Sequence, residues 1–103
     1  MEFNMISFRL VKTPNQKFST NINNHVFEFS FRTFRGVTYV TVAIDGTTME
    51  CSVKAIPNTS LFTSPTNKIA GGEFEFICSS DDYPHYEKFN GIDVIFAFIP
   101  FGG

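Results

Sequence analysis

Few residues in this sequence have the types and spacing that catalysis or metal binding requires. Asp81, Asp82 and His85 lie within one polar segment and offer two carboxylates and an imidazole as metal ligands. Their spacing matches no specific metal-binding motif, and an acidic turn of this kind is typical of a solvated loop. The other histidine, His25, lies far away in the sequence. We therefore predict no metal site and no cofactor.

A nucleophilic cysteine is the remaining route to catalysis. Cys51 and Cys78 each occupy the apolar face of an alternating segment, so we predict that both thiols are buried, reduced and unreactive. Whether the two ever form a disulfide is left open, because sequence does not give their separation. Gly71 and Gly72 precede a strand-like segment rather than a helix, which excludes a phosphate-binding loop. The sequence thus predicts that the protein is not an enzyme.

The composition favours a small domain built from β-strands. Of the 103 residues 14 are Phe, none is Trp and only 17% are charged. Phe and β-branched residues suit strands, whereas Asn, Gly and Pro suit turns. The net charge of −2 leaves no basic stripe for nucleic acid, and no segment approaches the roughly 20 apolar residues of a membrane helix. We predict a single β domain over residues 1–103, no membrane segment, no signal peptide and a cytosolic compartment.

Three consecutive strands in the middle of the chain are the elements most clearly predicted. Within residues 25–34, Phe27, Phe29 and Phe31 recur at every second position, which is the period of a strand with one buried face. Residues 37–44 and 47–56 also alternate, and Arg35-Gly36 and Asp45-Gly46 supply two-residue turns. These segments predict a three-stranded meander.

The two turns also predict which residues of the meander face one another. The first turn places Phe31 opposite Val40, and the second places Val40 opposite Cys51 and Val42 opposite Met49. Both pairings put the apolar residues on one face. The other face is predicted to be polar and to carry Glu28, Ser30, Arg32, Tyr39, Thr41, Glu50 and Ser52.

The flanking segments complete the predicted fold. Further strands are expected over residues 3–11, 17–22, 73–78 and 92–101. Residues 57–68 read as a loop attached to the core by Leu61 and Phe62, and residues 79–91 as a loop with one helical turn. We predict an all-β fold, a small antiparallel β-sandwich or partly closed β-barrel of about six or seven strands around the central meander.

Several short elements follow one another in a fixed order along the chain. They are Pro14, Asn15, Gln16 and Phe18, then Asn23-Asn24, Phe31-Arg32, Tyr39, Asp45 and Gly46, Ile56-Pro57-Asn58, Leu61-Phe62, Gly72, Asp81-Asp82-Tyr83 with Pro84, and Gly91. Taken in this order, the elements resemble those of the phage baseplate plug proteins. No single motif is specific, and the resemblance depends on the whole ordered set, which spans most of the chain. The family often carries a Trp that this chain lacks.

The resemblance implies a structural component of a phage or prophage tail. Members of the family are thought to sit at the centre of the baseplate, near the tail tube and hub, and to close the channel before infection. The implied partners are the tail tube, the baseplate hub or other tail proteins, with a homo-oligomer left open and nucleic acid not expected. The implied location is the virion tail, after assembly in the host cytoplasm.

The Phe content predicts a contact surface as well as a core. A domain of this size has a limited interior. Phe residues in turns and loops are therefore expected to contact neighbouring subunits. The same is expected of part of residues 96–98, a strand that is apolar on both faces. The residues predicted to contact a partner are Phe34, Tyr39, Phe62 and Phe101, with Phe89 in a similar position.

Two other functions fit parts of the same surface. A carbohydrate- or peptide-binding module would use the polar face around Arg32, Tyr39 and Glu50. A barrel that binds single-stranded nucleic acid would use Phe34, Arg35 and Tyr39.

Overall fold

Two antiparallel sheets pack face to face as a small β-sandwich. The computed structural model describes residues 5–80, 82–90 and 92–101. One sheet has the order β2-β3-β4-β5 and the other the order β1-β7-β6, and neither closes into a barrel. The predicted all-β sandwich is thus confirmed. Within the described residues the elements are β1 (Ile6–Phe8), β2 (Asn15–Ile22), β3 (His25–Phe34), β4 (Val37–Ile44), β5 (Thr47–Lys54), α1 (Ser64–Ala70), β6 (Gly72–Cys78), a 3₁₀ turn (Tyr86–Lys88) and β7 (Val94–Pro100).

Phenylalanine rings from both sheets fill the space between them. Phe96 on β7 lies at the centre, and its ring centroid is 5.4 Å from that of Phe29 and 5.2 Å from that of Phe31, both on β3. Both contacts have near-perpendicular rings, an arrangement that suits the ring quadrupoles. Phe74 and Phe76 on β6 complete the cluster and are fully buried, as is Phe96.

The hairpins on either side of β3 are regular. Phe31 lies opposite Val40 and Phe29 opposite Val42, as the Arg35-Gly36 turn predicts. Asn23 and Asn24 both adopt positive φ angles, of 52° and 65°, and join β2 to β3 without interrupting the register. Asparagine tolerates this backbone region better than most residues, so the pair forms a two-residue turn.

The predicted pairing of β4 with β5 is wrong beyond the Asp45-Gly46 turn. Val42 lies opposite Glu50 instead of Met49, and Val40 lies opposite Val53 instead of Cys51, because β5 contains two bulges. The bulges expose Cys51, so the prediction that both cysteines are buried is wrong for this one. Cys78 is partly buried and packs against the core.

A short helix occupies part of the segment predicted as a loop. The helix α1 begins after Thr63 with a proline in its first turn and ends at Gly71, which adopts a φ of 78°. Seven residues with Pro and Asn among them give too little periodicity to mark a helix in the sequence. The preceding residues Leu61 and Phe62 are buried and attach this segment to the core, which agrees with one of the two expectations for Phe62 and contradicts the other, a partner contact.

Several aromatic residues assigned to the surface lie in the core. Phe62, predicted to contact a partner, is only 5% exposed because its ring stacks on Phe29 at 6.2 Å and meets Phe74 at 5.6 Å. Phe89 is also buried and stacks on Phe76. Phe98 is likewise buried, so the predicted contact role of this part of β7 is wrong.

Candidate interaction surface

The first group of predicted site residues closes the loop between β1 and β2. The Gln16 side chain accepts a hydrogen bond from Val11 N at 2.9 Å and donates one to Val11 O at 2.7 Å. Pro14 O accepts a hydrogen bond from Thr33 N, and Asn15 pairs with Arg32 across the sheet. Phe18 is partly buried, with its ring 5.4 Å from those of Phe8 and Phe29. This motif therefore builds the scaffold.

Asp45 and Gly46 form the turn between β4 and β5. Both have positive φ angles, of 51° and 86°, as a two-residue hairpin turn requires. The Asp45 carboxylate accepts a hydrogen bond from His25 Nδ1 at 2.6 Å and another from Val26 N at 2.9 Å. These two bonds, that from His25 above all, hold the pKa of Asp45 below its ordinary value. The turn is thus tied to the start of β3.

Gly72 and Pro84 also contribute to the packing of the fold, and Gly91 lies outside the described residues. A Cβ on Gly72 would lie 2.5 Å from Ile99 O and 2.8 Å from the Phe98 ring, so only glycine fits there. Pro84 is buried, and its carbonyl accepts a hydrogen bond from Thr38 Oγ1 at 2.8 Å. This bond holds the loop before β7 against the end of the four-stranded sheet.

The residues predicted to contact a partner fall at three separate places. Phe34 and Tyr39 share the outer face of the four-stranded sheet, because Phe34 is two residues beyond Arg32 and Arg32 pairs with Tyr39. Phe101 lies at the other end of the sandwich, where its N–H bonds to Gly71 O. Phe34 is 55% exposed and Phe101 is 53% exposed. Phe62, as described above, is in the core.

Around Tyr39 the outer face carries alternating cationic and aromatic side chains. A row across the sheet runs from Arg32 to Tyr39 to Lys54, and Lys54 Nζ lies 4.4 Å from the ring centroid of Tyr83. Cation–π contact of this kind is favourable while leaving one side of the cation open to a ligand. The Tyr39 patch is defined here as Arg32, Phe34, Tyr39, Lys54 and Tyr83.

An open depression of about 520 Å³ adjoins this patch on the same face. Most of its lining side chains carry hydrogen-bonding groups, so it could accommodate polar groups of a neighbouring protein. It is lined by Asn15, Gln16, Lys17, Ser30, Phe31, Arg32, Tyr39, Thr41 and Ser52.

Sequence reasoning missed two members of the Tyr39 patch. Lys54 comes opposite Tyr39 only because the bulges shift β5 by two residues relative to the predicted register. Tyr83 reaches Lys54 only because the loop after β6 folds back onto Thr38. Neither the shift nor the return of the loop has a signal in local sequence.

The potentially reactive side chains are dispersed. No group of three or more His, Cys, Asp or Glu in residues 5–80, 82–90 and 92–101 could hold a metal ion. Partial burial raises the pKa of the Cys78 thiol, although the Lys88 charge acts in the opposite direction. His25 is hydrogen-bonded to Asp45, and the hydrogen bonds of the two cysteines go to other described residues. Among the residues that the structure describes, no helix is long and apolar enough to cross a membrane.

Comparison with known proteins identifies the family. A sequence profile described as "Cyanophage baseplate Pam3 plug gp18" matches residues 5–100. The chain belongs to this plug family. No curated protein was found to match it.

Membership in the plug family confirms the resemblance drawn from the ordered motifs. It supports a structural role in a phage baseplate, implies contact with other baseplate or tail proteins and implies a location in the virion tail. A binding module that uses Glu50 together with Arg32 and Tyr39 is not favoured. Glu50 faces the edge of the sandwich, where its carboxylate accepts hydrogen bonds from Thr63 and Thr66, and it is therefore not part of the outer polar face.

Proposed function

We propose that the protein is a non-enzymatic plug that sits at the centre of the baseplate, near the tail tube and hub, and closes the channel until infection. It is made and assembled in the host cytoplasm and then remains in the virion tail. The match of the plug family to residues 5–100 is the observation that carries this proposal. The fold is consistent with it, because a sandwich with a densely packed aromatic core suits a static subunit.

The Tyr39 patch is the surface that we assign to a neighbouring tail protein. Phe34 and Tyr83 are exposed and Tyr39 is partly exposed. Aromatic rings supply large contact areas at low entropic cost, and aromatic and Arg side chains are enriched at interface centres. Arg32, Lys54 and the nearby Lys17 make this region of the face cationic, although the chain has a net charge of −2. The partner surface is therefore expected to carry carboxylates and to be distinct from the patch itself.

Labelling of purified virions tests the location. Gold-conjugated antibodies against the protein should bind at the baseplate end of the tail. In a reconstruction of the virion before infection, density for the sandwich should fill the channel. Absence of the protein from the tail would refute the proposed function, and an open channel with the protein elsewhere in the baseplate would refute the closing role.

Substitutions in the Tyr39 patch test the assigned contact surface. Tyr39→Ala and Arg32→Glu should each reduce incorporation of the protein into virions, while the circular dichroism of the purified variants stays as in the wild type. Lys68→Glu is the matched control, because Lys68 is an exposed cation on α1 at the other end of the sandwich. Equal incorporation of all three variants would exclude the patch as the contact surface.

A further inference from the structure

The outer edge of β2 differs from the other sheet edges. β2 pairs with β3 over all eight of its residues without a register shift, and it contains no proline. Its only charged residue is Lys17. Proteins usually protect an edge of this length with bulges, charges or a covering segment, because it otherwise serves as a template for another strand.

Every other edge in the described residues is short, bulged or partly covered. β5, the opposite edge of the same sheet, contains two bulges. β6 carries bridges to Pro57 and Ser60, which cover part of its edge. β1 has three residues. The contrast singles out β2 as the edge on which a regular ladder can continue.

Along β2, residues that form backbone hydrogen bonds with β3 alternate with residues whose backbone groups point outward. Pro14 O accepts a hydrogen bond from Thr33 N. Every second residue after Pro14, from Gln16 through Phe18 to Ile22, therefore bonds to β3. The intervening residues Lys17, Ser19 and Asn21 therefore direct their N–H and C=O groups away from the sheet. None of these groups has a partner among the residues that the structure describes. Asn15 O points the same way and is already bonded to Thr13 Oγ1.

We infer that this edge pairs with β2 of a second copy of the chain, antiparallel and about a two-fold axis through Phe18. In this register Lys17 of each copy exchanges both backbone hydrogen bonds with Ser19 of the other, and the two Phe18 side chains meet on the inner face. The two four-stranded sheets then form one continuous sheet. This inference concerns the chain alone and does not depend on the proposed function.

Charge complementarity favours a second copy as the occupant. Ser19 pairs with Glu28 within each copy. Across the two-fold axis, Lys17 therefore lies next to Ser19 of the second copy and in line with its Glu28, roughly 10 Å away at two strand spacings. Extended Lys and Glu side chains span that distance above the small serine. Neither Lys17 nor Glu28 forms an ion pair with another described residue, and the symmetry makes the contact twice.

Apolar side chains on the same side of the sandwich add to the interface. The Phe8 ring lies 5.4 Å from that of Phe18, which places β1 beneath β2. Met5 is 41% exposed and Ile6 is 47% exposed on or next to β1. Pairing through β2 brings these side chains toward their counterparts in the second copy and removes apolar surface from water.

Backbone pairing is tested by Ser19→Pro, with Ser19→Ala as its control. Proline removes one outward N–H, and an edge strand tolerates it because no bond to β3 is lost. Sedimentation analysis should show dimers for the wild type and Ser19→Ala, and monomers for Ser19→Pro at the same concentration. A wild type that stays monomeric up to millimolar concentration, or a folded Ser19→Pro that remains dimeric, would overturn the inference.

The contact between Lys17 and Glu28 is tested by reversing the charge at each of the two positions. Lys17→Glu and Glu28→Lys should each weaken dimerisation about tenfold, since each creates two like-charge contacts. An equimolar mixture of the two variants should form heterodimers at wild-type strength. In the heterodimer the substituted positions 17 and 28 face each other with opposite charges, and the unsubstituted Lys17 and Glu28 form the second contact. Failure of the mixture to recover affinity, with both variants folded by circular dichroism, would exclude this register.

Discussion

β4 has two neighbouring strands, and the two sides behave differently. On one side β3 pairs with β4 over eight residue pairs without a shift. On the other side β5 follows β4 for two pairs from the turn and is then displaced by a bulge at Met49 and a second at Cys51 and Ser52. The regular hairpin and the bulged hairpin share one strand and have similar two-residue turns. The turn therefore does not determine whether the register continues.

Tertiary contacts account for the irregularity of the bulged hairpin. Displacement of β5 brings Glu50 to the edge of the sandwich, where its carboxylate accepts hydrogen bonds from Thr63 N, Thr63 Oγ1 and Thr66 Oγ1. These bonds secure the start of α1. Because the two bulges together add two residues, Val53 still faces the core. The regular hairpin serves the core, whereas the bulged hairpin also anchors the segment that follows it.

Removal of a ring from the regular hairpin should have the largest effect on stability. Phe29 is fully buried, and its ring lies 5.2 Å from that of Phe74 on the opposite sheet. Phe29→Ala should lower the free energy of unfolding by about 3–5 kcal/mol, through lost burial and the cavity left behind. Urea denaturation followed by circular dichroism measures this. A loss below about 1 kcal/mol would show that the core can collapse around the missing ring.

Loss of the Glu50 carboxylate should have the next largest effect, and it should be local. Glu50→Ala leaves Thr63 N and the Thr66 hydroxyl without their acceptor and should cost about 1–3 kcal/mol. Amide exchange should accelerate in α1 more than in β3. Glu87→Ala, at an exposed carboxylate in the 3₁₀ turn, is the control and should change stability by less than about 0.5 kcal/mol. Unchanged exchange in α1 would contradict the anchoring role.

The same contrast explains how much of the fold could be predicted. The regular hairpin was predictable because alternating Phe residues and a two-residue turn independently require one register. The bulged hairpin was not, since Met49, Cys51 and Val53 also alternate and nothing local distinguishes a bulged strand from a straight one. The determinant is a contact with Thr63 and Thr66, which are distant in sequence.

The candidate surface could be predicted only where it lies on the regular hairpin. Phe34 and Tyr39 belong to the regular hairpin, and their shared outer face follows from period-two alternation. Lys54 and Tyr83 depend on the bulges and on a returning loop, so only the structure brings them together. Phe62 was misassigned because a loop aromatic looks the same in sequence whether it turns inward or outward.

Backbone conformation at Ser52 provides a smaller test of the two hairpins. Ser52 adopts a φ of 51° in the bulge, a region in which β-branched residues are strained. Ser52→Val should therefore destabilise the protein by about 1–2 kcal/mol. Ser30→Val, at a regular outer-face position of β3, should change stability by no more than about 0.5 kcal/mol, because β-branched residues suit strands. Thermal melts of the two variants measure the difference, and equal effects would mean that the bulge is easily rearranged.

The smallest effect should come from the Asp45-Gly46 turn of the bulged hairpin, which is bonded to the start of β3, and it should depend on pH. The hydrogen bonds from His25 and Val26 lower the pKa of Asp45 in the folded protein. A depressed carboxyl pKa contributes stability that is present above the unfolded-state pKa and is lost as the pH falls through the folded-state pKa. This contribution should therefore begin to decline as the pH falls below about 4 and should be lost at the lower folded-state pKa. Asp45→Asn keeps a residue that tolerates the positive φ but removes the titrating carboxyl group. The stability of this variant should therefore fall less steeply than that of the wild type as the pH is lowered. Denaturation curves collected from neutral to acid pH compare the two slopes, and parallel curves would show that the Asp45 carboxylate does not couple the β4–β5 turn to β3.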